Sequence, residues 1–354
     1  MKDKIITFTF IGYLFFFGIY QFVLPDKEIS TSERRKLTTF PGFELTSDYI
    51  TKVDKYLLDH FPFRDDFRSL KANFNYKILN KLDNNDIYLK DNYIFKSDYP
   101  TNKKSINKFK ETIMKIKELL NEDNKTYMMI VPDKNYYLKD KNFLQLDYDY
   151  IYNEVSKLGI TEIDIRNIME LDDYYETDTH WKQEKIEKVV KKMSEVMNFA
   201  YEVQEYKLNK YDKFYGVYYG ESAISRESET LTYLTNDVIN NANVKYLENK
   251  KLTKVYNLDK LTGLDSYEVY LDGASSFIEI ENKNSLSDKE LIIFRDSFGS
   301  SLTPLIVNYY AKITVIDNRY IASNMFRDMI EFKDQDVLFL YSTLIVNNSG
   351  SLKG

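Results

Sequence analysis

The chain has 354 residues and no cysteine, and its 55 acidic side chains outnumber 49 basic ones for a formal net charge of −6. The two signs are intermixed, with no basic stripe to neutralise phosphates, so nucleic acid is excluded as an expected partner. Without cysteine there is no disulfide or thiolate site, and two histidines in no metal-binding spacing leave neither a metal nor a cofactor expected.

Residues 5–24 (IITFTFIGYLFFFGIYQFVL) carry no charge. As a helix rising about 1.5 Å per residue, such a run covers roughly 30 Å of hydrocarbon. Phe22-Val23-Leu24-Pro25-Asp26 offers no small-residue cleavage site. Residues 1–24 are therefore expected to be an uncleaved anchor in the lipid bilayer, inserted through 5–24. Lys2 and Lys4 precede the run and mixed charges follow it. That bias places the short N-terminus in the cytoplasm and the remaining chain outside it, on a single-pass cell-membrane protein.

Residues 25–100 read as a juxtamembrane linker, helices and a hairpin. Apolar positions over 49–82 fall at helical spacing, interrupted at Phe61-Pro62-Phe63, which predicts two helices meeting at a proline corner. His60 lies at that corner and is expected to tie it by a hydrogen bond. Residues 86–96 (DIYLKDNYIFK) alternate around Asp91-Asn92 as a hairpin does.

From residue 101 to 354, helical and strand patterns take turns. Ile106, Phe109, Ile113, Ile116 and Leu120 mark an amphipathic helix, with a buried strand over 126–131 behind it. A second helix ends near Gly159, and 160–165 reads as the next strand. Ile186, Val189, Val190, Met193, Val196 and Met197 then share one helix face. Residues 209–284 break the rhythm with Tyr- and Asn-rich text and short β-like runs such as 276–280, and are expected to be an insertion. The alternation resumes with strands over 291–294, 312–317 and 337–341 and helices between them. This pattern predicts parallel β-α-β units and a sheet covered on both faces. The 31 tyrosines, whose rings stack on sugars while their hydroxyls stay hydrogen-bonded, would suit a glycan.

Two stretches carry the chemistry. Asp178-Thr179-His180-Trp181 joins a carboxylate to one of two imidazoles, and Arg295-Asp296-Ser297-Phe298-Gly299 follows a strand pattern directly. Ser297 then falls at the carboxyl end of a parallel strand and before a helix, where open α/β sheets bind ligands. Acyl transfer needs these three groups: a hydroxyl nucleophile, a base to take its proton and an acid to orient the base. Backbone N–H groups at the helix start would stabilise the oxyanion.

The sequence from Tyr174 to Trp181 resembles the Asp-x-His-Trp signature of the DHHW family, whose members are similar to alginate O-acetyltransferase proteins of the AlgJ and AlgX type. Further matches are Asp59-His60-Phe61-Pro62-Phe63-Arg64-Asp65, Val131-Pro132-Asp133-Lys134, Phe214-Tyr215-Gly216, Ile293-Phe294-Arg295-Asp296-Ser297-Phe298 and Ile316-Asp317-Asn318-Arg319-Tyr320. The resemblance implies a flavodoxin-like, SGNH-hydrolase-like three-layer α/β sandwich in circularly permuted order. In it Ser297 would be the nucleophile, His180 the general base and Asp178 its orienting acid. It also implies action on O-acetyl groups of an extracellular polysaccharide, beside a membrane-bound O-acyltransferase as acetyl source. Two departures stand out: Asp272-Gly273-Ala274 replaces a Gly-Gly-Asn segment, and Tyr341-Ser342 ends the last strand where Asn is expected. Gly273 N–H and Asn135 are then the expected oxyanion donors. Lys134, Arg295, Arg319 and Tyr320, at strand ends, are expected to contact an anionic sugar. The alternative reading is a non-catalytic scaffold that binds polysaccharide or supports an acyltransferase complex.

Overall fold

The computed structural model describes residues 2–44, 46–138, 142–249 and 251–353; residues 1 and 354, the two ends of the expected division, lie outside it. The chain forms two compact units, Met1–Ile87 with Val217–Glu227, and Tyr88–Gly216 with Ser228–Gly354.

In the first unit the uncharged run is a helix, α1 (Lys2–Val23), 22 residues long, and among the described residues it alone is long and apolar enough to cross a membrane. Helices Tyr49–Asp59 and Arg64–Asn73 follow and meet at Pro62, as the broken spacing predicts. A proline cannot donate the backbone bond that would continue the first helix, so the chain turns there. The corner is pinned by charge: Arg35 pairs with Asp59 through Nη1 and Nη2 at 3.0 and 2.5 Å, and Thr38 donates to the same carboxylate from N and Oγ1, both at 2.9 Å. His60 Nε2 meets the Thr38 carbonyl at 2.9 Å, the structural tie expected of it.

The second unit is built on one sheet. Strands β1 (Lys125–Val131), β2 (Thr161–Glu162), β3 (Asn243–Tyr246), β4 (Phe277–Glu281), β5 (Glu290–Arg295), β6 (Lys312–Ile316) and β7 (Asp336–Ser342) lie in the order β3-β4-β6-β5-β7-β1-β2. The five from β6 to β2 are mutually parallel, while β4 runs antiparallel to β6, and β3 to β4. Counted from β5, the parallel strands take the order 2-1-3-4-5 of flavodoxin-like doubly wound sheets. The chain enters that order at its fourth strand, which is the expected circular permutation. Both outer strands, β3 and β4, come from the 209–284 segment, together with the ribbon Lys207–Phe214 and Glu229–Thr235.

Alternate side chains leave the sheet on opposite faces. Tyr127, Met129, Leu291, Ile293, Leu338 and Leu340 pack under helices α4 (Glu187–Met197) and α5 (Phe298–Ile306). Met128, Ile130, Ile292, Phe294, Val337 and Phe339 pack under α2 (Lys103–Lys117) and α3 (Tyr148–Ser156). The result is the three-layer α/β sandwich that strands buried on both faces dictate. Its topological switch point lies at β5, flanked by β6 and β7, and β5 is the strand that delivers Ser297.

Candidate active site

Ser297 stands one residue past the Asp296 that follows β5 and immediately before α5, and it is half-buried while its neighbours are buried. Two contacts fix the turn. The Asp296 carboxylate accepts from Phe298 N at 3.0 Å and from Ser342 N at 2.7 Å, tying the end of β5 to the end of β7. Gly299 lies so close to the Arg295 side chain that a Cβ would sit 2.7 Å from Arg295 Cβ. A side chain there would push α5 off the sheet, so the need for glycine is close approach rather than an unusual backbone angle.

The other half of the site is the loop between Tyr174 and Trp181, closed by an antiparallel bridge between those two residues. Asp178 Oδ1 accepts from the His180 backbone N–H at 3.0 Å and meets His180 Nδ1 at 2.6 Å. His180 Nε2 lies 2.7 Å from Ser297 Oγ. The three residues are thus in one hydrogen-bonded line, Asp178 1% exposed and His180 8%. With Nδ1–H donated to the carboxylate, the second nitrogen can accept from the hydroxyl, the geometry general-base activation of a serine requires.

Several residues that sequence reasoning did not single out hold this line in place. Tyr267 stacks on the imidazole, with centroids 3.9 Å apart and planes 8° from parallel. Its hydroxyl and Trp181 Nε1 both reach Ser301 Oγ on α5, each at 2.8 Å. Glu229 takes the loop's N–H groups, accepting from Glu176 N and Thr177 N at 2.7 Å each and from Thr177 Oγ1. Gly216 crosses so tightly that a Cβ would lie 2.2 Å from the Thr177 carbonyl carbon. Its presence in the Phe214-Tyr215-Gly216 motif was the one signal in the sequence pointing to this crossing.

Lys134 is not a substrate contact. It is 2% exposed, and Nζ donates to the carbonyls of Tyr175, Glu176 and Asp178 at 3.0, 3.0 and 2.8 Å. Burial draws its pKa down to about 7, opposed by the nearby Asp178, Glu229, Glu176 and Asp133. Three carbonyl acceptors match the three protons of its ammonium form. The loop is therefore clamped by Lys134 on its carbonyls and by the Glu229 carboxylate on its N–H groups.

The remaining expectations need correction. Arg295 is fully buried: Nη2 donates to the Gly273 carbonyl at 3.1 Å, and Nη1 faces Asp317 at 3.6 Å, so no sugar reaches it. Arg319 grips Asp317 through Nε and Nη2 at 2.8 and 2.6 Å and lies over the Tyr320 ring, leaving its guanidinium engaged within the protein. Tyr320, at the same sheet edge, is 48% exposed and stays accessible. Gly273, at φ +66°, spends its N–H on the Tyr270 carbonyl at 3.1 Å. Asn135 accepts from Tyr88 Oη at 2.6 Å and donates Nδ2 to the Lys96 carbonyl at 2.8 Å, so its amide braces the hairpin Ile87–Lys90 and Tyr93–Lys96. Neither residue is positioned as a free oxyanion donor. Ser342, in place of the expected Asn, accepts from Ile345 N and caps a short helix. At this edge the Ser297 N–H has no hydrogen-bond partner among the described residues. Thr179 Oγ1 and Asn318 Nδ2 are buried and equally unpartnered.

This geometry sits on a known scaffold. The chain shares its fold with a DHHW family protein from Eubacterium siraeum. That structure superposes with a TM-score of 0.62 at 18% identity, over 77% of this chain and 97% of the other. PatB1 of Bacillus cereus, solved with a sulfonyl adduct, gives 0.58 at 18% identity over 76% and 95%. The O-acetyltransferase domain of Pseudomonas putida AlgJ gives 0.45 at 12% identity over 74% and 92%, too distant a likeness to carry weight. At these identities the similarity establishes the fold. No protein-family model matches the chain, and no curated protein matches it.

Proposed function

We propose that this chain is a membrane-anchored serine O-acetyltransferase or acetylesterase that acts outside the cytoplasm on a cell-surface or exported polysaccharide, with its chemistry in the SGNH-like region 101–354. The observation that carries this reading is the continuous contact from Asp178 through His180 to Ser297. In the reaction the Ser297 hydroxyl proton passes to His180 Nε2 as Oγ adds to the acetyl carbonyl. The alcohol then leaves with that proton, giving acetyl-Ser297. A sugar hydroxyl or water, deprotonated by the same nitrogen, releases the acetyl group and restores the serine. Asp178 stays ionised and stabilises the imidazolium in each half. The Ser297 N–H, at the positive end of α5, would meet the oxyanion.

Two further parts complete the proposal: α1, long and apolar enough to cross a bilayer, as the anchor, and, from the family resemblance, a membrane-bound O-acyltransferase as acetyl donor. A non-catalytic, polysaccharide-binding scaffold is the second reading, favoured by the engagement of the Gly273 N–H and the Asn135 amide elsewhere. Incubating the protein with an activated acetyl ester and weighing it decides between them. An adduct of about +42 Da, an acetyl replacing hydrogen, is expected on the native chain and not on Ser297→Ala. Equal labelling of the two proteins, or none of either, overturns the enzymatic reading.

A further inference from the structure

Beyond the anchor, the first unit exposes a row of large apolar side chains. Phe63 is 54% exposed, Leu70 65%, Phe74 49% and Ile78 65%, with Phe67 at 38%. Positions 63, 67, 70, 74 and 78 follow one another by three and four residues, which puts them on a single face of the helical segment Arg64–Asn73 and its continuation Phe74–Ile78. Ala72 and Asn75, on the other side, are buried, Asn75 donating to Asn84 Oδ1 at 2.8 Å. A water-soluble surface has no use for five such residues in a line. Phe63 even holds its exposed ring in place from a left-handed backbone, φ +56°, a costly position for a bulky residue.

The row begins where α1 leaves off. Phe17 of α1 stacks on Phe61 with centroids 5.4 Å apart and meets Phe67 edge-on at 5.9 Å, and Tyr20 stacks on Phe63 at 6.0 Å. Gln21 Nε2 donates to the Leu57 carbonyl at 2.8 Å. Phe17 lies six residues before the end of α1 at Val23, about 9 Å along a helix axis. If α1 spans the bilayer, whatever touches Phe17 lies at that depth, and amphipathic interfacial helices sink roughly 5–10 Å. Lys71 and Lys77, both exposed, flank the row, where their stems can run along acyl chains and their ammonium groups reach headgroups.

We infer that the helical segment from Phe63 to Ile78 is a second membrane contact, lying in the outer interface of the bilayer with Phe67, Leu70, Phe74 and Ile78 among the lipid acyl chains. The inference rests on α1 being the anchor proposed above. It makes the chain a protein held by one crossing helix and one in-plane helix, with the first unit fixed against the lipid surface rather than swinging on a linker.

The absence of cysteine makes the test direct. The full chain carrying Leu70→Cys, Phe74→Cys, Phe10→Cys in α1, or Lys157→Cys as an exposed polar control is labelled with a nitroxide and reconstituted in vesicles of phosphatidylcholine and phosphatidylglycerol. The relaxation of each label by oxygen, which concentrates in lipid, is compared with that by a water-soluble nickel chelate. Oxygen is expected to prevail at 10, 70 and 74, and nickel at 157. Nickel prevailing at 70 and 74 while oxygen prevails at 10 overturns the interfacial helix and leaves the anchor standing, the face then being open to a protein partner. Nickel prevailing at 10 as well overturns both. The labelled positions are exposed, so the substitutions do not disturb the core.

Discussion

The chain has two histidines, one in each compact unit, and they differ most in the group each meets at Nε2. Both rings are largely buried beside a tyrosine, with centroids 4.6 Å apart for Tyr56 and His60 and 3.9 Å for Tyr267 and His180. Both have a carboxylate near Nδ1, Asp26 at 3.6 Å from His60 and Asp178 at 2.6 Å from His180. At Nε2 they part: His60 meets the carbonyl of Thr38, His180 the hydroxyl of Ser297. A carbonyl only accepts, so His60 must keep a proton on Nε2 and can relay nothing. A hydroxyl has a proton to give. A buried imidazole next to an acid is therefore no sign of catalysis; the transferable proton on its far side is.

That contrast breaks first at His180. His180→Ala is expected to lower turnover of a small acetyl ester by about 10³-fold or more with the fold retained, measured by steady-state kinetics beside thermal melting. Turnover within a few-fold of the native chain would put His180 with His60 as a structural residue. A smaller loss is expected from Lys134→Met, which removes a donor from the carbonyls of Tyr175 and Asp178. About 1–3 kcal/mol of stability should go with the unsatisfied groups. Because Lys134 Nζ is buried on the loop's carbonyls, kcat should fall and KM should hold; a rise in KM alone would make it a substrate-binding residue. The smallest effect belongs to the other histidine. His60→Ala should leave turnover unchanged and cost about 1 kcal/mol in the unfolding of the first unit. The same corner has an acid limit. Arg35 holds the Asp59 carboxyl well below its ordinary value, helped by Thr38. A carboxylate depressed in the folded state adds stability that is complete above its unfolded pKa, about 3.9, and is lost as pH falls from there through its depressed value. Acid melting of Asp59→Asn should show that loss already present at neutral pH.

Much of this protein was legible in one dimension. The apolar run became α1, the proline corner a joint between two helices, and the alternating patterns five parallel strands between two helical layers, because helix and strand periods are local properties of residue order. The two polar blocks could be paired on the chemistry that a hydroxyl, an imidazole and a carboxylate share. What residue order did not determine was which donors are already used. Lys134, Arg295, Arg319, Gly273 and Asn135 all looked available, and each is engaged by a partner that folding supplies, as Lys134 is by Asp178, 44 positions away. Nor did order reveal Glu229, Tyr267 and Ser301, whose roles exist only because the ribbon, the Tyr267 turn and α5 converge on the loop of His180. Hydrophobic periodicity is written in neighbouring residues, whereas the freedom of a polar group depends on every atom within about 3 Å of it, and only the assembled chain decides which atoms those are.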